Sequence, residues 1–66
     1  MKNNIRVERA RSKISQQQLA DLTNVSRQTI NAIELGKFIP STLLSLKISR
    51  IFNLTVNELF ELENNE

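Results

Sequence analysis

The sequence has no cysteine, histidine, tryptophan or tyrosine, and only one glycine and one proline in its 66 residues. Without cysteine or histidine the chain has no thiol nucleophile, no imidazole base, no disulfide and no ordinary zinc site. A carboxylate pair can carry out acid–base chemistry, but the seven acidic residues are scattered or gathered at the C-terminal end. We therefore expect neither an enzyme nor a protein that holds a cofactor or a metal.

Long hydrophobic runs are also missing. No apolar stretch approaches the roughly 18 residues of a membrane span, and the N-terminus lacks the apolar region of a signal peptide. We expect no membrane association and a cytoplasmic location. The length predicts one domain over residues 1–66, and a chain of this size buries only roughly 60% of its unfolded surface. Oligomerisation or very efficient helix packing must therefore support the fold.

Charge is unevenly distributed along the chain, although the net charge is only +2. Residues 1–50 carry all nine basic residues and three acidic ones, which gives +6. Residues 51–66 carry four acidic residues and no basic one, which gives −4. A basic body suggests a polyanionic partner, and a solvated surface with an acidic tail is the alternative interpretation.

Polar caps followed by apolar periodicity predict an all-α fold, a compact bundle of five short helices. The predicted N-caps are Asn4, Ser15, Ser26, Ser41 and Thr55. Ser15 with Gln18, and Thr55 with Glu58, fit the capping box, in which each side chain binds the other residue's backbone N–H. The alternation over Phe60–Leu62 adds a short C-terminal strand to this expectation.

Helical spacing also predicts which apolar side chains face the core. The expected inward residues of the first three helices are Val7, Ala10 and Ile14, then Leu19 and Leu22, then Ile30 and Ile33. The fourth helix has too many apolar residues for one stripe, so we expect it to be buried on more than one face. Asn24 and Gly36 are expected to adopt left-handed backbone conformations at helix ends.

Residues 15–34 have the pattern of a helix-turn-helix, because two short capped helices are joined by a tight turn containing one apolar residue, Val25. The second of these helices places Arg, Gln and Asn near its N-terminus, where a recognition helix meets base edges. Arg can donate two hydrogen bonds to guanine, and Gln or Asn can pair bidentately with adenine. Double-stranded DNA is therefore the expected partner.

The chain resembles the Cro/phage-repressor (XRE) helix-turn-helix regulators, particularly short stand-alone members such as the small cytolysin repressors. The resemblance covers roughly residues 5–60 and is carried by S15-Q16-x-x-L19-A20, by V25-S26-R27-Q28-T29-I30-N31-x-I33-E34-x-G36-K37 and by P40-S41. It implies a homodimer that represses transcription by binding operator DNA.

Individual roles also follow from the resemblance. The positions that match groove-facing residues and would contact bases are Arg27, Gln28 and Asn31. The positions that match DNA backbone contacts are Gln16, Thr29 and Lys37. Arg9 and Glu34 match a pair that ties the first helix to the recognition helix.

Glu8 departs from the family pattern, in which this position is usually Leu or Ile. Either the first helix packs through Ile5 and Val7, or Glu8 meets a basic partner. The departure puts the inward face predicted for this helix in question.

Residues 53–66 are expected to provide a dimer contact followed by the acidic tail. The main candidates for the dimer contact are Leu54, Phe60 and Leu62, with Phe38 and Ile39 as further candidates, because so small a domain leaves apolar surface uncovered. Completion of the monomer core is the alternative role for these residues. The alternative function is a protein-interaction module that grips another protein with this end.

Overall fold

The computed structural model describes all 66 residues and consists of five helices and a two-stranded ribbon. The helices are α1 (Ile5–Ser12), α2 (Gln16–Thr23), α3 (Arg27–Glu34), α4 (Thr42–Ile51) and α5 (Val56–Leu59). The strands are β1 (Lys2–Asn3) and β2 (Phe60–Glu61). The all-α class, the five helices and the C-terminal strand are therefore confirmed, and β1 was not predicted.

Four of the five predicted caps form as side-chain hydrogen bonds. Ser15 Oγ accepts from the Gln18 backbone N–H at 3.0 Å, and Gln18 Oε1 accepts from the Ser15 N–H at 2.7 Å. Ser26 and Ser41 each accept from the backbone N–H three residues on, both at 3.1 Å. Such caps bind N–H groups that have no partner within the helix, so they fix where α2, α3 and α4 begin.

The cap of α1 differs from the prediction. Asn4 occupies the N-cap position but its side chain makes no capping bond. Asn3 Oδ1 accepts from the Ile5 N–H instead, at 3.2 Å. The Asn4 side chain donates to the Glu58 carbonyl at 3.4 Å, so this residue joins the start of α1 to α5.

Left-handed backbone conformations end several of the helices. Asn24 has φ 61° and Gly36 has φ 75°, as predicted. Lys13 and Asn53, with φ 57° and 55°, take the same conformation at the ends of α1 and α4. A left-handed residue ends the helix and lets the chain leave the helix axis within one residue, which keeps the connections between the helices short.

The core consists of nine buried apolar residues: Ile5, Leu19, Ala20, Ile30, Ile33, Leu44, Ile48, Leu59 and Phe60. Three of the predicted inward residues are wrong, because Val7 is 51% exposed, Leu22 is 63% exposed and Ala10 is exposed as well. The inward face of α2 instead includes Thr23, whose hydroxyl donates to the Leu19 carbonyl at 2.8 Å and so can be buried.

Of the two alternatives for Glu8, the structure supports part of the first and all of the second. Ile5 is fully buried and supplies the core contact of α1. Glu8 meets a basic partner, since Arg11 Nη1 donates to its carboxylate at 3.4 Å. The inward face of α1 is therefore Ile5, Glu8 and Arg9 at helical spacing, and Val7 lies outside it.

Helix α4 is buried on one face only, contrary to the prediction. Leu44, Ser45, Ile48 and Ser49 form its buried stripe. Leu43 is 64% exposed and Leu46 is 52% exposed. Ser45 and Ser49 occupy two of the four buried positions of α4, whereas Leu43 and Leu46 lie on its solvent-facing side. Part of the apolar surface of α4 is therefore exposed.

The ribbon joins the two ends of the chain. Strand β1 pairs antiparallel with β2, with Lys2 opposite Glu61 and Asn3 opposite Phe60. The Asn4 N–H extends the pairing by donating to the Leu59 carbonyl at 2.9 Å. None of the helices combines the length and apolar character needed to cross a membrane.

Candidate nucleic-acid interface

Helices α2 and α3 form the helix-turn-helix that the sequence predicted. After Thr23 the chain turns through left-handed Asn24, and the Val25 N–H donates back to the Ala20 carbonyl at 3.0 Å. Val25 packs against the core and Ser26 caps α3 directly afterwards. Ile30 and Ile33 are fully buried, so they fix which face of α3 is turned away from the protein.

The outward face of α3 carries the predicted base-contacting residues. Arg27 and Gln28 are exposed, and Asn31 lies one turn further along and is half-buried. Thr29 is half-buried, and its hydroxyl lies 2.9 Å from that of Ser26. The face is therefore polar, with donors and acceptors that suit base edges.

Arg9 and Glu34 form the ion pair that the resemblance implied. Arg9 Nε and Nη2 donate to the two carboxylate oxygens of Glu34 at 2.6 and 3.0 Å. The side chains are only 16% and 5% exposed. The hydrogen bond to Glu34 raises the pKa of Arg9 above its ordinary value. Arg9 Nη1 also donates to the Ile14 carbonyl at 3.1 Å, so one guanidinium joins α1, the following turn and α3.

Gln16 continues this chain of hydrogen bonds toward the exposed face. Its Nε2 donates to Glu34 Oε1 at 3.2 Å and to Asn31 Oδ1 at 3.1 Å. Arg27 Nη1 donates to its Oε1 at 3.3 Å. We call these five residues, Arg9, Gln16, Arg27, Asn31 and Glu34, the interface network. It joins residues of α1, α2 and α3 in one polar cluster.

The remaining predicted contacts lie outside the interface network. Gln28 is exposed on the same helix, and Lys37 is exposed just after Gly36, beyond the end of α3. Arg6 lines a shallow cleft beside Leu35. Four residues of the interface network line the same cleft: Arg9, Gln16, Asn31 and Glu34.

No group of three or more His, Cys, Asp or Glu side chains is placed to hold a metal ion.

Comparison with known proteins agrees with this geometry. A family model for helix-turn-helix proteins matches residues 5–59. The chain is 44% identical over 63 residues to YgzD, an uncharacterised HTH-type transcriptional regulator of Bacillus subtilis, with 96% of each chain covered. It is 42% identical over 66 residues to such a regulator of Methanocaldococcus jannaschii, with both chains fully covered. An Archaeoglobus fulgidus relative is 39% identical over 66 residues, covering this whole chain and 94% of the relative.

The chain belongs to the XRE-type helix-turn-helix family. This is a family of DNA-binding transcription regulators. In helix-turn-helix proteins the second helix of the motif, the recognition helix, lies in the major groove. The polar face of α3, with the start of α2 beside it, is therefore the candidate nucleic-acid interface of this XRE-type protein.

The candidates for a dimer contact fall into two groups. Phe60 is 7% exposed and belongs to the core of its own protomer, and Leu54 is half-buried against that core. The other candidates are exposed: Leu62 is 67% exposed, Ile39 62% and Phe38 50%. The structure therefore gives Phe60 and Leu54 roles inside the monomer, and the dimer contact of this XRE-type protein stays a prediction.

Sequence reasoning missed the central position of Gln16. The resemblance implied a phosphate contact for Gln16, but it did not indicate the bonds of Gln16 to Asn31, Glu34 and Arg27. These partners lie 15, 18 and 11 residues away. The polar spacing within α3 offered one clue, because Arg27, Asn31 and Glu34 share one helical face.

Proposed function

We propose that this XRE-type protein is a transcriptional repressor that binds a short inverted-repeat operator as a homodimer. The observation that carries the proposal is the outward face of α3. Its Arg27 and Asn31 side chains are held in place by the interface network, and Gln28 is exposed beside them. A polar face held in place before binding loses less side-chain entropy when it meets a rigid duplex.

Base reading is assigned to Arg27, Gln28 and Asn31. Their guanidinium and amide groups match the donors and acceptors that bases present in the major groove. All three lie within the first five residues of α3, the part of a recognition helix that reaches the base edges.

Backbone contacts are assigned to Gln16, Thr29 and Lys37. Gln16 is the first residue of α2, where backbone N–H groups without helical partners favour a phosphate. Lys37 supplies an exposed positive charge beyond the end of α3. Contacts of this kind set the register of the protein on the duplex without reading its sequence.

A second copy of the chain is the proposed occupant of the exposed apolar surface at the C-terminal end. Two adjoining shallow clefts share Met1, Val56 and Phe60; Ile39 lines one of them and Leu62 lines the other. We call the four that are exposed or half-buried, Met1, Ile39, Val56 and Leu62, the C-terminal apolar surface, since Phe60 belongs to the core of its own protomer. A two-fold pairing here would place two recognition helices about one DNA turn, roughly 34 Å, apart. Occupancy of a promoter would then block polymerase.

A binding measurement tests the DNA part of the proposal. A duplex selected from random sequences is titrated with the protein by fluorescence anisotropy at two salt concentrations, with a scrambled duplex as control. We expect binding to the selected duplex about 10³-fold or more tighter, and a steep loss of affinity with salt. No selected sequence and no binding at low salt would instead favour a protein-interaction module.

The dimer is tested by sedimentation of the Leu62→Asp variant beside the parent chain. We expect the parent chain to sediment as a dimer and the variant as a monomer, because a carboxylate would be buried in the apolar contact. Leu22→Asp is the matched control, since Leu22 is 63% exposed against 67% for Leu62 but lies on α2. Dissociation by both variants, or by neither, would contradict the assignment of this surface.

A further inference from the structure

The outward side of α4 is both apolar and positively charged. Leu43, Leu46, Lys47 and Arg50 follow the spacing i, i+3, i+4 and i+7, which places them on one side of the helix. All four side chains are exposed, Leu43 by 64% and Leu46 by 52%. We call these four residues the α4 face. The leucines lie on its N-terminal half and the cations on its C-terminal half.

The cations of the α4 face have no opposite charge to pair with inside the protein. Of the five helices, α4 alone carries no acidic residue. The ion pairs of the protein involve Arg9, Arg11 and the N-terminal ammonium, and neither Lys47 nor Arg50 takes part in one. The α4 face therefore offers an apolar contact directly beside two unpaired positive charges.

The shape of the α4 face limits what can cover it. None of its four residues lines a cleft of the surface, so the face is a ridge and not a pocket. A ridge of this kind packs beside another helix, whose side chains fill the spaces between its own. The helix has only ten residues, about 15 Å of length, so the contact is small and suits a weak, transient complex.

We propose that the α4 face docks an amphipathic helix of another protein, one whose apolar side chains lie next to Asp or Glu; this goes beyond the proposed function. The apolar side chains of the partner cover Leu43 and Leu46, and its carboxylates pair with Lys47 and Arg50. Charge complementarity favours such a partner over a second copy of the chain. A two-fold pairing would set the α4 face against itself and bring four cations together with no carboxylate among them.

Synthetic peptides test the proposal. The probe is an alanine-based helix of about 20 residues, with two leucines at i and i+3 and glutamates one turn before and one turn after them on the same face. One control peptide has lysines in place of the glutamates, and another has alanines in place of the leucines. Binding is followed by NMR shifts of the backbone amides of isotope-labelled protein. We expect the glutamate peptide to shift amides of α4 and both control peptides to bind several-fold more weakly.

Substitutions on the exposed side of α4 assign the contact. Leu43→Gln should weaken binding of the glutamate peptide about tenfold, because one apolar contact is lost. Leu22→Gln is the matched control and should have no effect, since it removes an equally large, 63% exposed leucine from α2.

Charge reversal tests the ionic half of the contact. The double variant Lys47→Glu, Arg50→Glu should prefer the lysine peptide over the glutamate peptide. If the double variant does not fold, the milder Lys47→Gln variant should bind the glutamate peptide several-fold more weakly than the parent chain does.

Four results would overturn the inference. Amide shifts that are absent or lie outside α4 would do so, and so would equal binding of the glutamate and lysine peptides. Dissociation of a dimer by Leu43→Gln, seen by sedimentation, would show that a second copy covers the α4 face. Weaker binding of Lys47→Gln to every DNA duplex, with a lower salt dependence, would show a phosphate contact instead. None of these results depends on whether the parent protein selects a DNA sequence, so the proposed function is tested separately.

Discussion

At the scale of single residues, similar ion pairs have very different environments in this protein. Arg9 and Glu34 are joined by two short hydrogen bonds and lie largely out of water. Glu8 and Arg11 are one turn apart on α1; the Glu8 side chain is 17% exposed, but Arg11 is 74% exposed, so water reaches this pair from the Arg11 side. Exposed pairs contribute roughly 0–1 kcal/mol, whereas a charge left alone in a buried site carries its full desolvation penalty.

Glu34→Ala is therefore expected to lower the free energy of unfolding by about 3 kcal/mol, because Arg9 stays largely buried without its anionic partner and keeps only its bond to the Ile14 carbonyl. Glu8→Ala should lower it by less than about 1 kcal/mol. Urea unfolding followed by circular dichroism measures both. If Glu34→Ala prevents folding, the milder Glu34→Gln variant provides the comparison. Equal losses in the Glu34 and Glu8 variants would contradict a structural role for the buried pair.

Gln28 is expected to matter for DNA binding and not for folding, because its side chain is exposed and its loss should leave the free energy of unfolding unchanged. We expect Gln28→Ala to bind the selected operator about 1–3 kcal/mol more weakly and to discriminate less among sequences. Anisotropy titrations with the selected and scrambled duplexes give both quantities. The same loss on every duplex would show that Gln28 contacts the backbone and does not read a base.

At the scale of elements, two helices begin with the same capping box but differ in charge. Helix α2 uses neutral Gln18, and α5 uses Glu58. Hydrogen bonds from the backbone and side chain of Thr55 lower the pKa of Glu58 below its ordinary value of 4.5. The ionised form is thus favoured by folding, and its contribution to stability is present above pH 4.5 and is lost as the pH falls through the lowered pKa.

The lowered pKa of Glu58 predicts how the stability of the Glu58→Gln variant, relative to the parent chain, changes with pH. The variant keeps a capping box but has no charge to titrate. We expect it to be less stable than the parent chain at pH 7, and the difference to shrink as the pH falls below 4.5. Urea unfolding across this range provides the measurement. The reverse variant, Gln18→Glu, should add a pH dependence of the same sign at α2, and a constant difference for Glu58→Gln would contradict the assignment.

At the scale of the whole molecule, charge is divided between a basic body and an acidic end. All nine basic residues lie in residues 1–50. Near the C-terminus, Glu66 accepts from the Met1 ammonium at 3.0 Å, so part of the acidic charge is paired within the protein. DNA affinity should accordingly depend steeply on salt, because each cation that contacts a phosphate releases counterions.

Lys37→Ala tests this electrostatic view. The variant should bind selected and scrambled duplexes more weakly by the same factor and lower the slope of log affinity against log salt by about one. Titrations at several salt concentrations measure the slope. A change in sequence preference with an unchanged slope would mean that Lys37 does not bind a phosphate.

A structural feature could be predicted from the sequence when the residues that determine it lie close together along the chain. Capping boxes span three residues, and the left-handed turns at Asn24 and Gly36 depend on one residue each. The helix-turn-helix and the polar face of α3 follow from these local patterns, and they were predicted correctly. The resemblance to the XRE family added the pairing of Arg9 with Glu34.

The sequence by itself therefore determined the number and starts of the helices and the residue types on the outward face of α3. Only the tertiary structure decided the rest. The inward face of α1 depends on Glu34 of α3, which lets Arg9 be buried where Val7 was expected. The C-terminal strand was predicted, but its partner, Lys2–Asn3 at the other end of the chain, was not. The orientation of Asn31 depends on Gln16 of another helix. In each case the partners are distant along the chain, and only packing of the whole domain brings them together.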